Sequence, residues 1–183
     1  MDKTSSLEKS YGFGNLMTAI HSVSNKFSDT LFYNTGTYSV KKLSPKDNAD
    51  AKLFIQKELV KRGGIGLDHL YYDEELLDLH SSYGAKGKFF WILKFEGEIV
   101  GTLGLVIHSD KREAVINKFY VKNDIKDHAQ SLIKIALSMA KKSGCRACNI
   151  SLSQREEQLQ KLFEKASFKI SDRSLMMAMT FFF

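Results

Sequence analysis

The chain has 183 residues, of which 43% are hydrophobic and 26% charged, and its formal net charge is +6. One substantial core fits that length, two domains do not, and charges dispersed rather than blocked exclude a largely disordered chain. No window reaches the roughly 18 apolar residues of a membrane span, and the start lacks a basic stretch leading into an apolar run, so the cytoplasm is the expected location.

The positive balance suits an acidic partner such as a nucleotide-bearing molecule, a nucleic acid or an anionic membrane. Lysines are scattered, with only short pairs at Lys41-Lys42 and Lys141-Lys142, so no basic stripe emerges and nucleic acid is not the expected partner. Cys145 and Cys148 make a CxxC with no second pair. The motif enters a strand rather than opening a helix, so neither zinc nor redox chemistry is expected and no metal site is assigned.

Residues 1–36 are rich in Ser, Thr, Asn and Lys and read as an N-terminal extension of a domain spanning 37–183. Leu16, Met17, Ile20, Val23 and Phe27 share one face if Leu16 to Phe27 is helical. That predicts a short amphipathic helix docked on the core, with a partner or a membrane surface as the alternatives. Thr37 to Leu43 reads as a strand. Ser44-Pro45-Lys46-Asp47 then supplies an N-cap, a first-turn proline and a carboxylate, Ala51, Phe54, Ile55 and Leu59 give the helix its buried face, and Gly63-Gly64 end it. A second, acidic helix is predicted from Asp73 to Tyr83. Lys88 to Phe95 and Glu98 to Ile107 form a hairpin about Glu96-Gly97, and Gly101 and Gly104 in its second strand mark a close approach of backbone or ligand.

Lys111 to Leu152 organises the rest. Ile116, Lys118 and Tyr120 alternate with Val115, Asn117, Phe119 and Val121 in a strand over Ala114 to Val121, and Leu132, Ile135, Ala136, Met139 and Ala140 recur at helical spacing between Asp127 and Lys142. A second apolar strand, Arg146 to Leu152, completes a β-α-β unit, whose strand-to-helix turn gathers main-chain N–H groups that suit a phosphate. Ser153-Gln154-Arg155-Glu156 reads as a capping box before Leu159, Leu162, Phe163 and Ala166. Phe168 to Ile170 and Leu175 to Phe183 close as a hairpin. The predicted fold is α/β (α+β), in the order β-α-α-β-β-β-α-β-α-β-β.

That order, with Glu96 to Gly101 at the hairpin turn, Lys118-Phe119-Tyr120-Val121 ending the central strand, and Leu162-Phe163-Glu164-Lys165-Ala166-Ser167-Phe168, resembles the GNAT superfamily of acyl-CoA-dependent N-acetyltransferases over about Thr37 to Phe183. The resemblance implies a mixed sheet with a splayed central strand. It implies acetyl-CoA or CoA as cosubstrate, an amine acceptor, either a small molecule or a protein lysine, and a homodimer as the assembly the family often adopts. Main-chain N–H groups near Phe119, Tyr120 and Val121 would hold the thioester carbonyl, where fixed dipoles stabilise an oxyanion. The turn and helix start at Lys122, Lys126, Asp127, His128, Ala129, Gln130 and Ser131 would hold the pyrophosphate. Tyr71, Tyr72, His80 and Tyr83, with Asp73, Glu74, Glu75 and Asp78 nearby, fall where the family builds its acceptor site, and an acidic rim favours a cationic amine.

The sequence departs from the family pattern. The turn contains no glycine, and Asp127 falls where an N-cap carboxylate would compete for the N–H groups that a pyrophosphate needs. A Glu that often serves as base falls on Val115, and a Tyr that often protonates the departing sulfur falls on Phe163. Ser167 replaces the glycine after the last helix. A base would come from Glu113, Asn117, His108 or Ser151. Two functions follow, direct acyl transfer from acyl-CoA to an amine, or a catalytically impaired GNAT-fold binding or regulatory module.

Overall fold

The computed structural model describes residues 31–34, 37–62, 73–153, 156–173 and 176–183. The expected helix over Leu16 to Phe27, and Tyr71 and Tyr72, lie outside them. An edge strand β1 (Leu31–Asn34) precedes β2 (Tyr38–Lys42), α1 (Asn48–Lys61) and α2 (Leu79–Ser82). Next come β3 (Lys88–Phe95), β4 (Glu98–His108), β5 (Glu113–Val121), α3 (Lys126–Lys142), β6 (Ala147–Ser153), α4 (Glu157–Lys165), β7 (Lys169–Arg173) and β8 (Met176–Phe182). From β2 onward this is the order read from the sequence; β1 is an addition, paired antiparallel to β2.

The eight strands form one sheet in the order β1-β2-β3-β4-β5-β6-β8-β7. The β5–β6 pair is parallel, joined by the α3 crossover, and its neighbours on both sides are antiparallel. Helices cover both faces. Leu132, Ile133 and Ala136 of α3, with Leu159, Leu162 and Phe163 of α4, pack with Leu103, Ile116 and Phe119 on one face; Phe54, Ile55, Leu79 and Tyr83 pack with Phe90 and Ile92 on the other. Central strands buried on both sides explain why β3 and β4 read as nearly continuous apolar runs.

Local chemistry places the boundaries. Pro45–Asp47 forms a 3-10 turn leading into α1, and the Asp47 carboxylate, 3% exposed, pairs with Lys41 at 3.0 Å and Lys94 at 2.9 Å while accepting from the Ser44 hydroxyl. The helix expected from Asp73 to Tyr83 is broken in two. A 3-10 turn at Glu74–Leu76 ends before Asp78, whose carboxylate then accepts from the Ser81 N–H at 3.0 Å and hydroxyl at 2.6 Å and starts α2 afresh.

The capping box is half formed: Glu156 accepts from the Ser153 N–H at 2.9 Å, but the cap position falls on Glu156 itself and α4 begins at Glu157, three residues after a box capped by Ser153 would start it. At the far end of α4, Phe168 N–H donates to the Phe163 carbonyl and Ser167 N–H to the Glu164 carbonyl, the paired bonds of a Schellman stop, with Ser167 at φ 69° where glycine is usual.

Candidate active site

The β4–β5 register puts Gly104 opposite Asn117 but Thr102 opposite Tyr120, so β5 carries one extra residue at Lys118-Phe119. This is a bulge, and Lys118 takes up its left-handed turn with φ 48°. The Thr102 hydroxyl donates to the Lys118 carbonyl at 2.8 Å on the β4 side, and the Lys122 N–H donates to Val100 on that side too. By strand alternation the N–H and carbonyl of Phe119 and of Val121 face the other way, toward β6. Pairing between β5 and β6 stops at Ile116 with Ile150, although both strands continue. A gap therefore opens beside Phe119 and Val121, lined by main-chain groups.

Two charged side chains meet at this gap. Arg62, at the end of α1, donates to Glu156 at 2.6 Å and to the Phe119 carbonyl at 3.5 Å, and its guanidinium lies 4.8 Å from the Tyr120 ring centre. Phe119 and Phe163 meet edge-to-face at 5.0 Å, and Phe168 meets Phe163 likewise.

A polar network fills the α2 side of the bulge. The Tyr83 hydroxyl lies 2.7 Å from Asn117 Oδ1 and 3.0 Å from Glu75 Oε2, Lys118 Nζ lies 2.6 Å from Asp73 and 3.2 Å from Glu75, and Lys88 Nζ lies 3.0 Å from Glu75. Burial opposes ionisation of Glu75, but the bond from Lys88, the charge of Lys118 and the Tyr83 hydroxyl outweigh it and hold its carboxyl below the ordinary value. Burial also disfavours the Lys118 cation, yet Asp73 and Glu75 raise its pKa above the usual lysine value. For Tyr83, burial and then Glu75 push the phenol far up, so it stays protonated.

Helix α3 starts at Lys126 with Ile125 at the cap position and no side-chain cap. The N–H groups of Lys126, Asp127 and His128 thus have no partner within the helix. The His128 ring stacks on Tyr38 with centroids 3.7 Å apart.

A family model for the GNAT acetyltransferase family matches residues 55–168, well over half of the chain. The chain belongs to the GNAT acetyltransferase family. Solved structures agree on the fold. An acetyltransferase from Streptococcus agalactiae superposes with TM-score 0.70 at 15% identity, over 81% of this chain and 99% of that one. The PaiA N-acetyltransferase of Thermoplasma acidophilum, solved with coenzyme A, gives 0.67 at 17% identity over 80% and 99%. A spermidine N-acetyltransferase chimera from Vibrio cholerae and hSSAT gives 0.62 at 14% identity over 80% and 96%. No curated protein matches the sequence.

The GNAT fold places the residues singled out in the sequence unevenly. Phe119 and Val121 turn main-chain groups toward the gap, whereas Tyr120, opposite Thr102, and Lys122, whose N–H donates to the Val100 carbonyl, turn theirs to β4, so the Tyr120 N–H expected at the thioester faces away from it. Asp127 is not at the cap; it lies one residue inside α3, because the turn at Asn123–Ile125 carries the chain past it. Ala129 is buried in the core, and the Ser131 hydroxyl turns back to the His128 carbonyl at 2.5 Å, so neither side chain faces outward. Gln130 is half-buried.

Of the four base candidates, His108 and Glu113 are cross-strand neighbours at the start of β5, roughly 20 Å from Phe119 at strand spacing. Ser151 is exposed on β6 beyond the last β5 pair. Asn117 is close to the bulge, but an amide is not basic and its oxygen is engaged by Tyr83.

On the acceptor side, Tyr83 is a buried hydrogen-bonding residue, and His80 donates its main-chain N–H to Asn48 at 2.9 Å. The acidic rim is already paired where it matters, since Asp73 and Glu75 hold Lys118 and Lys88. Arg62 and Glu156 were not singled out in the sequence. Glu156 reads there only as part of a capping box and Arg62 carries no assignment, and only the fold brings them together. Both cysteines are buried, and burial pushes the Cys148 thiol up to about 12. Among the described residues no helix is long and apolar enough to cross a membrane.

Proposed function

We propose that the chain is an N-acyltransferase that passes an acetyl or other acyl group from acyl-CoA to an amine, a small molecule or a protein lysine, by direct attack. The observation that carries this reading is the gap between β5 and β6, where pairing ends at Ile116 and Ile150 and the main-chain groups of Phe119 and Val121 are turned inward. Acyl-CoA fits this site in two respects: the gap offers N–H donors to a thioester oxygen, and the uncapped start of α3 offers N–H groups to a pyrophosphate.

The Phe119 N–H stabilises charge on the carbonyl oxygen as the neutral amine attacks. The new C–N bond forms, the C–S bond breaks with its electron pair on sulfur, and the proton of the attacking nitrogen leaves to solvent. A thiol has a pKa of about 8.5, so the sulfur departs as thiolate without an obligatory acid. Phe163, wholly buried among Phe119 and Phe168, supplies packing and no proton. That apolar contact is also what favours the second reading, a GNAT-fold module that binds without turnover.

Calorimetric titration with CoA and acetyl-CoA, followed by an amine panel read out as CoA released, tests both. Micromolar binding with release supports the enzyme. Binding without release across a broad panel supports a module that keeps its ligand, and no binding at millimolar ligand overturns the enzyme and leaves a module that acts through a different partner.

A further inference from the structure

Resting on the acyltransfer reading, we infer that Arg62 is a catalytic residue whose guanidinium stabilises the departing CoA thiolate, with Glu156 holding it in place and tempering its charge. Phe163, which packs edge-to-face on Phe119 beside the gap, has no proton to give, so some other group must meet the negative charge that appears when the C–S bond breaks. Arg62 is a permanent cation placed for this. It lies 3.5 Å from the carbonyl of Phe119, the residue whose N–H opens into the same gap, and is fixed by the 2.6 Å ion pair with Glu156 and by the Tyr120 ring at 4.8 Å.

Glu156 is itself held, its other oxygen accepting from the Ser153 N–H at 2.9 Å. The pair therefore links the end of α1 to the start of α4 across the divergence. No proton moves through Arg62: the thiolate leaves as an anion beside it, and the nitrogen's proton goes to solvent.

The test measures the pKa of the thiol in bound CoA, from the pH dependence of its alkylation with protein in excess. The protein's own Cys145 and Cys148 are buried and do not compete. A cation within about 4–6 Å lowers an acid's pKa by about 1 unit or more, so the bound thiol should titrate below free CoA. In Arg62→Gln it should return to or above the free value, and Arg62→Lys should keep part of the shift. Glu156→Gln should lower the thiol further, because the guanidinium is then unopposed.

A merely structural ion pair would make the Gln variants at both positions behave alike. CoA that binds with the same thiol pKa in wild type and Arg62→Gln, or variants that shift it in one direction together, would overturn the inference while leaving the acyltransfer reading standing. No CoA binding at all would overturn both.

Discussion

Asp47 shows how one buried carboxylate organises its surroundings. Burial alone would favour its neutral form, but Ser44, Lys94 and Lys41 outweigh this and hold it at about 2. A carboxyl depressed from 3.8 contributes stability that is complete above about pH 4 and is lost as pH falls toward about 2. Asp47→Asn should cost roughly 2 kcal/mol at neutral pH, with the gap to wild type closing by about pH 2, as read by urea unfolding at several pH values. A gap that stays constant with pH would mean the lysines do not act through its charge. Ser167 illustrates the opposite case, a residue tolerating a conformation suited to glycine. Ser167→Gly relieves left-handed strain but frees the unfolded chain, leaving a net gain of a few tenths to about 1 kcal/mol in thermal unfolding.

At the scale of elements, the bulge of β5 and the thin stretch of β4 form one device. A Cβ on Gly104 would meet Asn117 Oδ1 at 2.3 Å and the Tyr83 ring at 2.8 Å, so the glycine makes room for the Tyr83–Asn117 hydrogen bond. Gly104→Ala should destabilise by about 1–3 kcal/mol and loosen Tyr83, seen as a loss of near-ultraviolet circular dichroism. An unchanged signal would mean the network adapts. Periodicity exposed α3 and α4 because their apolar faces are one-sided, and the Glu96-Gly97 turn announced the hairpin, both residues having positive φ. The break at Asp78 was hidden, since an acidic run is compatible with a continuous helix until a carboxylate captures the next turn's N–H. The bulge left no mark either: Lys118 in a left-handed conformation is not a residue that composition would nominate.

Across the whole molecule, the sheet order brings α1, β5, the segment before α4 and the start of α3 around one opening. The sequence exposed the backbone part of this site, because strand-turn-helix order fixes where N–H groups converge whatever the side chains are. It did not expose the side-chain part. Arg62 and Glu156 are 94 residues apart, and the acidic groups expected to greet an acceptor turn out to neutralise Lys118 and Lys88. The Lys118 pairing also sets an alkaline limit. A lysine raised above 10.5 contributes stability that is present below that pH and is lost as pH rises through its higher folded value, so Lys118→Met should flatten the alkaline limb of the stability profile.

If acyl-CoA occupies the gap between β5 and β6, adding CoA should register in the backbone amide chemical shifts of the residues around it. The amides of Phe119, Val121 and the first turn of α3 at Lys126, Asp127 and His128 should move together with one affinity. Saturable binding that shifts amides elsewhere and leaves these five in place would contradict it.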